Sequence, residues 1–192
     1  AKLVRMALLN TDILLRSAML MMIFSSFVFL WARFGDVTLA ANEVLIQFMY
    51  ITAYAMDGFA FYAETLIARA IGRGDTAHVR RSAAVTSIGG LAICVTMSLA
   101  FAIAGPWIID VMAKDPDVQS TARDFLPYMV VTPLAGCAAW MLDGIFIGAT
   151  RSRDMRNMMA LSFAIYWGAI FVLLPWLGNH GLWMALLISF IA

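Results

Sequence analysis

Residues 44–68 read VLIQFMYITAYAMDGFAFYAETLIA, an apolar run with two carboxylates set into it. A hydrocarbon layer of about 30 Å is crossed by roughly 20 helical residues. The run is long enough, and inside lipid a helix is the form that satisfies every backbone group within one segment. Comparable runs occupy 13–32, 82–105, 125–149 and 158–177, and a sixth, 181–192, is too short to span before the chain stops. Across the 192 residues 63% are hydrophobic and 13% charged, against about 25% charged in soluble domains. These features predict an all-α integral membrane protein. The first run is not a signal peptide, because it exceeds the usual apolar core of about 7 to 15 residues and ends in Trp31-Ala32-Arg33. The start at Ala1 and the short last run read as a chain cut at both ends.

The basic residues are sorted by loop. Lys2 and Arg5 precede the first span, Arg69, Arg73, Arg80 and Arg81 follow the second, and Arg151, Arg153 and Arg156 follow the fourth, nine of the 13 Lys and Arg. The intervening loops carry Arg33, Asp36 and Glu43, then Asp110, Lys114, Asp115 and Asp117. The positive-inside rule then places the N-terminus of this segment in the cytoplasm. The stretch from Pro106 to Met112 is expected to be a short interfacial segment with Trp107 at headgroup depth. Gly178-Asn179-His180-Gly181 is expected to be a tight outer turn whose glycines and Asn tolerate positive φ. Met56-Asp57-Gly58-Phe59 and Leu142-Asp143-Gly144-Ile145 form a weak internal echo, each followed by an arginine-rich loop.

Three acids lie within apolar runs. Asp57 falls near the middle of its span, and Glu64 is two turns and about 10 Å further toward the cytoplasm on the same face. Asp143, eight residues before Arg151, sits at a depth close to that of Glu64. An ionised acid in the bilayer costs several kcal/mol, so such groups face a bundle interior or a wet cavity and are candidates for a substrate or ion pathway. A structural role is the competing reading, with each acid a partner for a hydroxyl, indole or arginine on a neighbouring helix. Asp57 favours function, Glu64 divides evenly, and at Asp143 the GxxxG spacing of Gly144 and Gly148 adds a helix-packing role. Asn10, Asp12 and Arg16 form a polar cluster at a helix end, with Asp12 and Arg16 expected to make a local i,i+4 pair. Pro127 and Pro133 interrupt the fourth span and are hinge candidates, since a proline leaves backbone carbonyls free.

Other signals carry less. Cys94 and Cys137 lack metal or redox spacing, and the 14 methionines are scattered over apolar faces, fitting an adaptable core or pocket. Arg73-Gly74-Asp75 spells an adhesion tripeptide on the side predicted to be cytoplasmic, where its glycine ends a helix. His78 and His180 are expected in loops, and no phosphate-binding glycine loop, zinc-binding HExxH or nucleophile elbow occurs. The expectation is no enzyme, no metal site, no cofactor and no nucleic-acid partner.

Six segments in order carry a family resemblance. They are Asn10-Thr11-Asp12 with Arg16, GDVTLAAN at 35–42, Asp57-Gly58 through Glu64, IGRGD at 71–75, LDGIFIGATR at 142–151 and GNHGLW at 178–183. Together they resemble the C-terminal half of a multidrug and toxic compound extrusion (MATE) transporter of a prokaryotic branch. The resemblance implies a twelve-helix antiporter of two six-helix lobes in the prokaryotic inner membrane, exporting organic cations or amphipathic compounds against protons or sodium. This chain would supply helices seven to twelve, the last incomplete, and its partners would be the N-terminal lobe, lipids and small organic cations. The family's best-known proton-responsive aspartate lies in the other lobe. Its sodium-linked acids lie in helices seven and ten, where this chain offers only Asp12 at a rim and Asp143. Two rivals stand beside this reading: a lipid or cell-wall-precursor flippase, which a basic groove lining would favour, and a non-transporting membrane scaffold. Only Arg16, Arg33 and Arg123 lie within or flank the helices as candidates for such a lining.

Overall fold

The computed structural model describes residues 2–192, with side chains from residue 9 onward. Six α-helices follow one another: α1 Lys2–Trp31, α2 Asp36–Gly72, α3 Thr76–Met112, α4 Pro116–Gly148, α5 Ser152–Leu177 and α6 Asn179–Ile191, with one 3₁₀ turn, Ala32–Phe34, between α1 and α2. Five of them are long and apolar enough to cross a membrane; α6 is apolar and shorter. The helices run further than the apolar runs: 44–68 lies within α2, 82–105 within α3 and 158–177 within α5, each helix extending beyond its run at one end or both. At 1.5 Å per residue the 37 residues of α2 extend about 55 Å, well beyond a 30 Å hydrocarbon layer.

Short turns separate the helices, and side-chain caps mark where α3 and α4 start. The Asp75 carboxylate accepts from the His78 backbone N–H at 2.9 Å to cap α3. Asp115 does the same for α4, accepting from Asp117 N–H at 2.9 Å, with Pro116 at the first position, where its missing N–H is harmless. Gly35 and Gly178 have φ of 89° and 54°, a region that glycine enters without steric cost.

Several expectations change at these ends. The stretch from Pro106 to Met112 is not a separate interfacial segment, because α3 continues through Pro106 to Met112. Only Gly178 of the outer tetrapeptide stands outside helix; Asn179, His180 and Gly181 open α6. His78 and His180 accordingly lie in first turns of helices rather than in loops. Pro127 and Pro133 leave α4 assigned as one helix. Hydroxyls support the carbonyls in the turn before Pro133: Thr132 Oγ1 donates to Tyr128 O at 2.7 Å and Ser98 Oγ, from α3, to Val130 O at 2.6 Å.

Packing sorts the helices into two groups. Helices α2, α3 and α4 pack on one another, α1 packs on α5 and α5 on α6, and α6 also reaches α4, while α1 barely meets α2. In lipid there is no hydrophobic drive between helices, so small residues that let backbones approach decide the tightest seams. The α2–α4 seam is of that kind. A Cβ on Gly144 would collide with the Ala60 carbonyl, and one on Gly148 would lie 2.5 Å from the Glu64 carbonyl oxygen. The GxxxG spacing therefore marks a close backbone approach, as expected. A larger apolar core, with Phe27, Trp31, Phe48, Phe101 and Trp183, joins both groups. Large apolar side chains such as Phe29, Ile103, Phe171 and Trp176 point outward, as lipid contact requires.

Candidate functional site

Because α1 and α5 stand off from α2 and α4, a cleft of about 430 Å³ opens between the two groups. Leu20, Ile23 and Phe24 of α1, Met49 and Tyr50 of α2, Trp140 and Phe146 of α4, Met155, Met158 and Met159 of α5 and Phe190 of α6 make an apolar, aromatic and methionine-rich lining. Three charged side chains interrupt it: Arg16, Asp57 and Asp143. A concave apolar site with few, convergent polar groups is the usual form of a small-molecule pocket.

The cleft lies toward the end of the bundle that carries the arginine-rich turns. Backbone contact of Gly148 with Glu64 brings the end of α4 beside that of α2, and the bond from Ser152 to Asp12 brings the start of α5 beside that of α1. The turns bearing Arg73 and Arg151 and the start of α1 therefore share one end. Arg16, Phe146 and Met155 are the cleft residues nearest to it along α1, α4 and α5, with Asp143 one turn further in than Phe146.

Across the cleft, Arg16 donates from Nη2 to Asp143 Oδ2 as a hydrogen-bonded ion pair, joining α1 to α4. The expected local pair of Asp12 with Arg16 does not form. Asp12 is buried and turns to α5 instead, accepting from Arg156 Nη1 at 2.5 Å and from Ser152 Oγ at 3.0 Å. The reason is tertiary: an i,i+4 pair contributes a few tenths of a kcal/mol, whereas a buried carboxylate needs both oxygens satisfied. Asn10 is exposed and takes no part in this network.

Asp57 is exposed to the cleft and has no hydrogen bond or ion pair among the described residues. Glu64, expected on the same face, is half-buried and lies outside the cleft, also with no partner among the described residues. Its backbone, not its carboxylate, makes the close contact with Gly148. The structure thus brings Asp57, Asp143 and Arg16 together and leaves Glu64 apart. Pro127 is exposed, Pro133 is buried, and neither lines the cleft.

At the opposite end lies a buried network that sequence reasoning missed. Asn42 Nδ2 donates to Asn179 Oδ1 at 2.8 Å, Asn179 Nδ2 donates back to Asn42 Oδ1 at 3.1 Å, and Trp183 Nε1 donates to the same Asn42 oxygen at 3.0 Å. This reciprocal amide pair ties α2 to α6 where the helix groups meet. The available signal was an asparagine inside the apolar start of α2, a position that in a membrane demands a partner.

Comparison with known proteins follows the same lines. The family model MatE matches residues 13–172. The chain is 39% identical over 185 residues to DNA damage-inducible protein F of Escherichia coli, covering 95% of this chain and 39% of that protein. It is 28% identical over 157 residues to Protein DETOXIFICATION 43 of Arabidopsis thaliana, covering 82% of this chain and 30% of that one. The crystal structure of a Vibrio cholerae MATE transporter superposes with a TM-score of 0.86 at 17% identity, over 94% of this chain and 42% of that one, a likeness of fold. The chain thus spans about two fifths or less of the length of these proteins. A family match over most of its residues, on six helices arranged like part of a MATE transporter, makes this chain a member of the MatE family of membrane transporters.

Proposed function

We propose that this chain forms the C-terminal lobe of a two-lobed antiporter in a bacterial inner membrane, with its N-terminus cytoplasmic, exporting organic cations or amphipathic compounds in exchange for protons or sodium. The observation that carries the reading is the cleft itself, apolar and aromatic, with Asp57 on its wall and unpaired among the described residues. Tyr50, Trp140 and Phe146 offer ring faces to a flat cation, and the methionines adapt to varied shapes. The carboxylate supplies the charge, and its protonation weakens the hold so that cargo leaves. Rocking of this lobe against a second six-helix lobe exchanges access between the two sides. One residue favours a second reading. Arg16 lines the cleft and would suit the phosphate of a lipid or cell-wall precursor, although here its guanidinium is engaged by Asp143.

The test uses the complete two-lobed protein in proteoliposomes with an inside-acid gradient. Proton release on adding ethidium outside is expected, and Asp57→Asn is expected to cut it at least tenfold, the effect of losing about 1.4 kcal/mol of charge contact. A folded protein that releases neither protons nor sodium on adding the cation would overturn antiport and favour the flippase.

A further inference from the structure

The charged side chains of the cleft invite a count. Asp57 and Asp143 contribute two negative charges and Arg16 one positive, and among the described residues every other lining side chain is neutral. Arg156, the arginine next in line on α5, is already engaged by Asp12 and is not on the cleft wall. The walls of this half-cleft therefore carry one net negative charge.

The geometry also says where that charge stands. Arg16 holds Asp143 from the opposite wall, and both are only partly exposed, at 21% and 28% of their side-chain surface. Asp57 has no cationic partner among the described residues and faces the open space. Arginine suits the masking role because its guanidinium stays charged at any working pH and its planar fork matches a carboxylate. A lysine could lose its proton in such a place.

Resting on the cation-export reading above, we infer that Arg16, by neutralising Asp143, sets the charge of the cargo and selects singly over doubly charged organic cations. A monocation pairs with Asp57 and leaves no charge unmatched. A dication brings a second positive charge for which this lobe's wall offers no second free carboxylate, and an unmatched charge in a low-dielectric cleft is strongly disfavoured. Without Arg16 the cleft holds two free carboxylates, and two like charges in one site are relieved by a second positive charge. The preference then turns toward dications.

Ethidium and propidium provide the matched probes, one ring system carrying one or two positive charges. Their affinities are measured by fluorescence with the complete protein at alkaline pH, which disfavours a proton as the second charge. Arg16→Gln is expected to shift the propidium-to-ethidium affinity ratio at least tenfold toward propidium. Arg16→Gln combined with Asp143→Asn restores one net negative charge and is expected to return the ratio to that of the unmodified protein. Ser162→Asp adds a carboxylate to the α5 wall with the Arg16–Asp143 pair intact. It is expected to shift the ratio toward propidium, which keeps the inference testable if the unpaired single variant does not fold. An unchanged ratio in Arg16→Gln, a double variant that behaves like Arg16→Gln, or an unshifted Ser162→Asp would overturn the inference alone. Failure of the folded, unmodified protein to bind ethidium would overturn cation export and the inference with it.

Discussion

Replacing Gly144 by alanine tests the packing that positions the cleft. A Cβ there would stand 2.8 Å from the Ala60 carbonyl carbon and 2.9 Å from its Cα, with the carbonyl oxygen nearer still. Ordinary contact begins at 3.4 Å, so α2 and α4 must part by at least 3.4 − 2.8 = 0.6 Å. Backbone cannot swing aside as a side chain can. Overpacking of this kind costs about 1 to 3 kcal/mol. Alanine recovers at most about 1 kcal/mol of helix propensity over glycine. With that gain recovered in full the net expectation is a loss of up to roughly 2 kcal/mol, increased if the opening also unseats Gly148 from Glu64 one turn further along. Gly168, inside α5, is the control, since nothing lies within 4 Å of its would-be Cβ. Gly168→Ala is expected to be neutral or stabilising by up to about 1 kcal/mol. Reversible denaturation of the complete protein in mixed micelles measures both. A Gly144→Ala protein as stable as Gly168→Ala would refute the close approach of α2 and α4.

Two further outcomes follow from buried polar contacts. Asn42→Ala removes three hydrogen bonds, from Asn42 to Asn179, from Asn179 back and from Trp183. At about 0.6 kcal/mol for each interhelical bond in a membrane this comes to about 2 kcal/mol, with more lost if Asn179 and Trp183 stay unsatisfied, and a thermal melt unchanged from the parent would contradict it. Ser98→Ala removes the 2.6 Å bond to Val130 O and is expected to destabilise by about 1 kcal/mol on the same melt, whereas a variant as stable as the parent would mean that Val130 finds another donor.

Much of the fold was readable along the chain. Hydropathy located the membrane helices because lipid acts on each segment by itself, and the Gly144–Gly148 spacing marked a close helix seam before any partner was known. The helix ends were less legible. The stretch from Pro106 to Met112 looked interfacial because proline and tryptophan are common at membrane boundaries, yet it continues α3 through Pro106 to Met112. At Gly178 the tetrapeptide needed only one residue of positive φ, and Asn179 was free to begin a helix and enter the amide pair.

The candidate site divides the same way. Sequence alone determined that the chain is helical with segments long and apolar enough to cross a membrane, that Asp57 and Asp143 lie within apolar runs, and that it belongs to the MatE family. Only the tertiary structure decided that Asp143 belongs to Arg16, that Asp12 belongs to Arg156 and Ser152, and that Glu64 stands outside the cleft. Hydropathy and helix periodicity are local sums over neighbouring residues, so they can be read in order. The partners of Asp143 and Asp12 are 127 and 144 residues distant along the chain, and their pairing depends on how α1 rotates and leans between α4 and α5.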